Sequence, residues 1–222
     1  LRALRQACPR AKITVIASAA NAVLIKQLSS VDEVITLAGD RFADWWCARP
    51  QLSALRRGAP DLVVALQVSW PAALLAWWLK AKRRLGFDSG GFGWVFTDAV
   101  AYPFMKQKAH QVAVNLHLLS AAGIAVPAAS DAKLEVPVTD AGRKRVDDWL
   151  KQQGAAKGKL IVIHPGSRSA YTQWMPGRFA AVADKLAAQP DAQVILLCGP
   201  REERLVDQVL RSMKEKPWVA KG

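Results

Sequence analysis

The residues of this chain that could do chemistry gather in one stretch, Lys159–Trp174, which reads KLIVIHPGSRSAYTQW. At its centre is the short loop His164–Pro165–Gly166–Ser167–Arg168–Ser169. Gly166 lets the backbone come close to an oxygen atom. Ser167 offers a hydroxyl, Ser169 a weaker one, and Arg168 a planar fork that fits an oxyanion bidentately. With the loop amides, these groups can bind a phosphate. A second set follows the apolar run Gln193–Cys198, at Gly199–Pro200–Arg201–Glu202–Glu203. There Gly199 with Glu202 or Glu203 could face a ribose, a carboxylate accepting from its hydroxyls. Equally, the glutamates could complement the dipole at a helix N-terminus. His164 reads as a general base or, more strongly, as a strand-end side chain claimed by packing and backbone hydrogen bonds. His110 caps a helix or lines a ligand. His117 stands seven residues on, too far for a metal pair on adjacent helical turns, and no acidic residue is in register. No metal site is expected.

The elements that must position these groups are legible around them. Leu160–Ile163 is apolar and rich in β-branched residues, which predicts a fully buried strand of a parallel sheet. Pro165 and Gly166 stop it. Pro176 suits the first turn of a helix, and Phe179, Val182, Ala183 and Leu186 recur at helical spacing. The segment is therefore strand, small-residue loop, helix. In open α/β sheets ligands bind at the carboxyl ends of strands, where such loops lie.

The preceding chain repeats the pattern. Leu1–Ala7 reads as helix, Lys12–Ala17 as strand, Ala19–Leu28 as helix and Val31–Leu37 as strand. Phe42–Arg57 is helical with a break near Pro50, and Asp61–Leu66 is a third strand. Ser69 can cap the next helix, with Pro71 in its first turn. Arg83–Phe87 is a short strand and Ser89–Gly93 a Gly-rich turn. No phosphate-loop lysine and no GxGxxG accompany that turn, so neither nucleotide fingerprint applies. Lys108–Ala122 is a helix ended by Gly123. Residues 125–140 form a connection, and Thr139 or Asp140 caps a helix running to about Gln153. This alternation predicts parallel, doubly wound sheets. The domain boundary is expected near Pro137–Gly158, giving domains 1–140 and 141–222.

The 222 residues are 51% apolar, enough for a substantial core, and carry a formal net charge of +13. Such an excess suits anionic partners. No zinc-finger, recognition-helix or RNA-binding signature accompanies it, so nucleic acid is not the expected partner. Cys8, Cys47 and Cys198 have no paired or metal-type spacing, which fits a reducing cytoplasm. No signal-peptide pattern is visible. Trp70–Leu79 is apolar but about half the roughly 20 residues a membrane span needs. It reads as a core helix, with a helix lying on an anionic membrane surface as the alternative.

The stretch HPGSRSAYTQWMPGRFAAVADKL resembles the nucleotide-binding signature of the lipopolysaccharide heptosyltransferases, glycosyltransferase family 9. Gly199–Glu203 after its strand resembles a second element of that family. The resemblance implies a GT-B arrangement of two Rossmann-like domains, the second incomplete here. It implies an inverting enzyme moving a heptose from ADP-heptose to the lipopolysaccharide inner core, without a bound metal or other cofactor. The donor contacts it implies are Gly166, Ser167, Arg168, Thr172, Gly199 and Glu202. At the position of Thr172 the family usually carries a basic residue. The family's general-base loop is expected before Leu1, and its sugar-contacting DSG-type loop beyond Gly222. An internal fragment, inactive by itself, is therefore expected. The location implied is cytoplasmic, peripheral at the inner membrane. A different nucleotide-sugar enzyme of GT-B type, such as a UDP-sugar transferase or epimerase, and a non-enzymatic basic α/β binding module are the alternatives.

Overall fold

A computed structural model of the chain describes residues 1–39, 42–45, 47–102, 110–132, 134–155, 158–167 and 169–221. The chain forms two compact units, Leu1–Val138 and Thr139–Gly222.

The first unit runs α1 (Arg2–Ala7), β1 (Thr14–Ser18), α2 (Ala19–Ile25), β2 (Glu33–Leu37), α3 (Arg49–Arg57), β3 (Leu62–Ala65), α4 (Trp70–Trp78), β4 (Arg83–Asp88), β5 (Asp98–Ala101), α5 (Gln111–Ala121). Its strands are all parallel and fall in two sheets, β1–β2 and β3–β4–β5. Apolar packing joins them: Ile16, Ile35 and Leu37 share a cluster with Leu52, Leu75, Leu79 and Val63. Side chains alternate along β3, as a strand's period of two requires. Leu62 and Val64 pack with Val114 and Leu118 of α5, whereas Val63 and Ala65 pack with Ala73 and Ala76 of α4. Helices on both faces make this sheet doubly wound, as the alternating pattern predicts.

Local signals account for most of these ends. Ser69 Oγ accepts from the Ala72 amide at 3.4 Å and starts α4. Gly123, at φ +75°, follows α5 in the left-handed conformation that ends helices cheaply. The structure sharpens one expected element and adds another. Phe42–Arg57 is a 3-10 turn, Phe42–Trp45, followed by α3, with Pro50 in the first turn of α3. Proline fits there because that N–H has no helical partner, so the break precedes it. Strand β5 was not anticipated; Asp-Ala-Val-Ala has no apolar run, and its ladder with β4 defines it. The expected start of α5 at Lys108 lies outside the described residues.

The second unit runs α6 (Asp140–Gln152), β6 (Lys159–Ile163), α7 (Pro176–Ala187), β7 (Ala192–Cys198), α8 (Glu203–Ser212), β8 (Trp218–Lys221). Thr139 Oγ1 accepts from the Gly142 amide at 3.0 Å and caps α6. The three strands are parallel in the order β6–β7–β8, with Ile161 opposite Val194 and Ile163 opposite Leu196. Both crossover helices cover one face. Ala180 and Ala183 of α7 and Val206 and Val209 of α8 close over Val194, Leu196 and Cys198. Fully burying a Val or Leu contributes about 1.5–3 kcal/mol. The expected full burial of β6 is overturned: Leu160 and Val162 are 44% and 55% exposed. Neither α7 nor α8 lies on their face, which an unbroken apolar run cannot reveal. Val182, expected on the core side of α7, is also exposed, and Ala180 takes its place.

Candidate functional site

Because β6 and β7 are adjacent and parallel, the loops at their carboxyl ends are neighbours. Those loops hold every residue the sequence singles out for phosphate and ribose. In the first loop the hydroxyls form a closed ring. The Ser169 amide donates to Ser167 Oγ at 3.4 Å, Ser167 and Thr172 hydroxyls meet at 2.5 Å, and Thr172 Oγ1 donates to the Ser169 carbonyl at 3.0 Å. Each hydroxyl has one proton. Since that of Thr172 goes to the carbonyl, that of Ser167 goes to Thr172. The ring shapes the loop and commits the one proton of Ser167 to Thr172, so towards a ligand Ser167 can only accept until its hydroxyl turns. The amides of Gly166 and Ser167 make no hydrogen bond among the described residues. They are donors open to an anion. Arg168 lies outside the described residues. Around the loop Tyr171, Trp174 and Met175 are exposed, and Trp174 meets Phe179 of α7 edge-on at 5.2 Å.

Glu202 ties the second loop to the first. Its Oε2 accepts from the Gly199 amide at 2.9 Å and from His164 Nε2 at 2.9 Å. A Cβ placed on Gly166 would collide with Glu202 Oε1, and one on Gly199 would lie 2.8 Å from Oε2. Both glycines are therefore where they are because a carboxylate occupies the space a side chain would fill. The close oxygen that the sequence leads one to expect at Gly166 is, in this structure, the protein's own. The Gly199 amide bond and then the His164 bond hold the Glu202 carboxyl below its ordinary value of 4.5. His164 thus partners a carboxylate across two loops, rather than the backbone. Glu203 is exposed in the first turn of α8, placed to complement the helix dipole. Arg201 carries the turn at φ +68°, a conformation that non-glycine residues seldom adopt. Cys198 at the end of β7 is buried, which pushes its thiol up.

Gly166, Gly199 and Glu202 are thus brought together with His164, and Ser167 is joined to Thr172. His110 caps α5 by accepting from the Val112 amide at 3.3 Å. What sequence reasoning missed is the carboxylate clamp. The three-residue step from Gly199 to Glu202, the reach of a capping box, was its only available signal.

The model of glycosyltransferase family 9 (heptosyltransferase) matches residues 51–220. Among solved structures, the glycosyl transferase family 9 protein of Veillonella parvula DSM 2008 superposes with a TM-score of 0.82 at 22% identity. It is matched over 100% of this chain and 63% of its own. ADP-heptose lps heptosyltransferase II of E. coli gives a TM-score of 0.68 at 18% identity, over 99% of this chain and 66% of that one. E. coli heptosyltransferase WaaC with ADP gives 0.68 at 16%, over 100% and 67%. This chain therefore spans roughly two thirds of the length of these chains, and at such identities the likeness is one of fold. No curated protein matches it.

Proposed function

The chain belongs to glycosyltransferase family 9, and from that premise we propose that its second unit binds the diphosphate of a nucleotide-sugar donor, ADP-heptose. The heptose would pass, with inversion, to a sugar of the lipopolysaccharide inner core. Residues 141–222 would form the donor domain and residues 1–140 the acceptor side. Such an acceptor would be lipid-anchored, so the protein would work at the cytoplasmic side of an anionic membrane, as a peripheral protein. Among the described residues no helix is long and apolar enough to cross a membrane.

One observation carries this reading. Among the described residues the amides of Gly166 and Ser167 have no partner, at the carboxyl end of β6 and beside the turn that follows β7. Departing diphosphate needs donors fixed in advance. Backbone amides in a loop closed by its own hydroxyl ring are such donors. Arg168 would add the charge-assisted contact, with Ser167 turning to donate. Thr172, where the family usually carries a basic residue, adds none. Gly199, whose open side the Glu202 carboxylate fills, would bear on the adenosine through the position of its turn. Glu202 supports the reading differently from a ribose acceptor: it holds the two loops at a fixed spacing through Gly199 and His164. No residue of this chain is assigned the general base, so donor binding is the readout.

Calorimetry with ADP tests this. Arg168→Ala should weaken binding at least tenfold, the scale of one charge-assisted hydrogen bond. Thr172→Lys should tighten it, less so as salt rises. Unchanged binding by Arg168→Ala would leave the loop a plain βα turn. UDP binding more tightly than ADP would favour another nucleotide-sugar enzyme of the same architecture.

A further inference from the structure

The first unit carries a basic, aromatic hollow at the opposite end of its sheet from the loops where α/β ligands bind. The C-terminal turns of α3 and α4 meet the start of β4 there, and Arg56, Trp77, Trp78, Lys80 and Arg84 line a space of about 220 Å³. Among the described residues no carboxylate lines it. Arg56 lies over the Trp78 ring at 4.7 Å, which holds its charge at the surface. Arg84 is fixed through two backbone carbonyls, Nε to Val95 and Nη1 to Ala81, both at 2.9 Å, so its charge is not neutralised by an acid. The neighbouring Lys82 does have one, Asp61 at 2.7 Å. Trp77 is 51% exposed, and Trp94, on the 3-10 turn that includes Val95, is 66% exposed.

We propose that this face docks the protein on an anionic phospholipid bilayer. Tryptophan is suited to the boundary between headgroups and acyl chains, where its ring is buried and its N–H stays wet. Cations beside it meet the lipid phosphates. Charge complementarity selects the occupant: three cations with no lining acid among the described residues, on a chain of formal net charge +13. A nucleotide is excluded on position, since the hollow lies at the amino ends of β3 and β4. Docking by this end leaves the carboxyl-end loops of the same unit free. The inference rests on the peripheral-membrane part of the proposed function and uses none of the donor-site residues.

Sedimentation with vesicles tests it. The chain should bind phosphatidylcholine vesicles containing 30% phosphatidylglycerol, and not phosphatidylcholine alone. The double variant Arg56→Gln/Lys80→Gln should lose at least tenfold in vesicle affinity. Trp77→Ala should lose about threefold; it truncates a half-exposed ring and opens no core. A control of equal charge, Arg143→Gln/Arg145→Gln on the exposed face of α6, should lose less than threefold. Equal losses in the two double variants would show that net charge alone attracts the chain and would overturn the docking face. No binding by the parent would overturn the membrane reading itself. Displacement from vesicles by RNA at equal phosphate, with tighter RNA binding at the same residues, would assign the face to nucleic acid and overturn the proposal. ADP affinity should be the same in all variants, which separates failure here from failure of the donor site.

Discussion

After β4 the chain passes through Asp88–Gly93, and after β6 through His164–Ser169. Both turns leave the carboxyl end of a parallel strand, and both place a glycine against a carboxylate. In the first, the carboxylate is Asp88, five residues from Gly93. In the second it is Glu202, from the next βα turn, against Gly166. The first turn is also plugged into the core. Phe92 is 3% exposed, packs with Ala73, Ala76 and Val95, and meets Trp70 at 5.4 Å and Phe96 at 6.4 Å. The second has Pro165 buried but holds its shape by polar contacts: the hydroxyl ring and the Glu202 clamp. A turn held mainly by apolar packing offers little to an anion. A turn held by a carboxylate whose pKa folding lowers, with amides unpartnered among the described residues, responds to pH and to anions, and that is the turn we assign to the donor.

Breaking the plug should have the largest effect. Phe92→Ala removes a buried ring and should cost about 3–5 kcal/mol in urea unfolding, with the same loss at pH 4 and pH 7. Gly166→Ala should come next, at about 1–3 kcal/mol, because the new methyl group must displace Glu202 or shift the loop. A cost below about 0.5 kcal/mol, typical of an indifferent surface site, would show that the two loops are not clamped. Smallest is the effect of titration. Folding lowers the Glu202 carboxyl below 4.5. Its contribution to stability is therefore fully present above about that pH and is lost as pH falls through the folded value. The gap in urea midpoint between the parent and Glu202→Gln should narrow below pH 4.5. A gap that stays constant from pH 3 to 7 would mean that the charge on Glu202 contributes nothing.

Much of this arrangement was legible in the sequence, for reasons that also mark where legibility ends. Pro176, Ser69, Thr139 and Gly123 act locally, through a fixed φ, a free one or a side-chain cap, so the elements they bound could be placed. The parallel pairing of Ile161–Ile163 with Val194–Leu197 followed from strand–helix–strand order. Pairing with β4, not composition, makes Asp98–Ala101 a strand. Exposure of Leu160 and Val162 depends on which face the crossover helices take. The clamp joins residues 36 and 38 positions apart, Gly166 and His164 to Glu202, and nothing within either loop announces the other. The residues of the two loops could thus be picked out from the sequence, while the role of Glu202 in spacing those loops could not.

The most direct test of the central claim is an ADP titration followed by backbone amide NMR shifts. The largest changes are expected at Gly166, Ser167 and Ser169, a smaller one at Gly199, and none at Ser89–Gly93. Changes concentrated in the turn after β4, or an absence of change at Gly166 and Ser167 at saturating ADP, would contradict that claim.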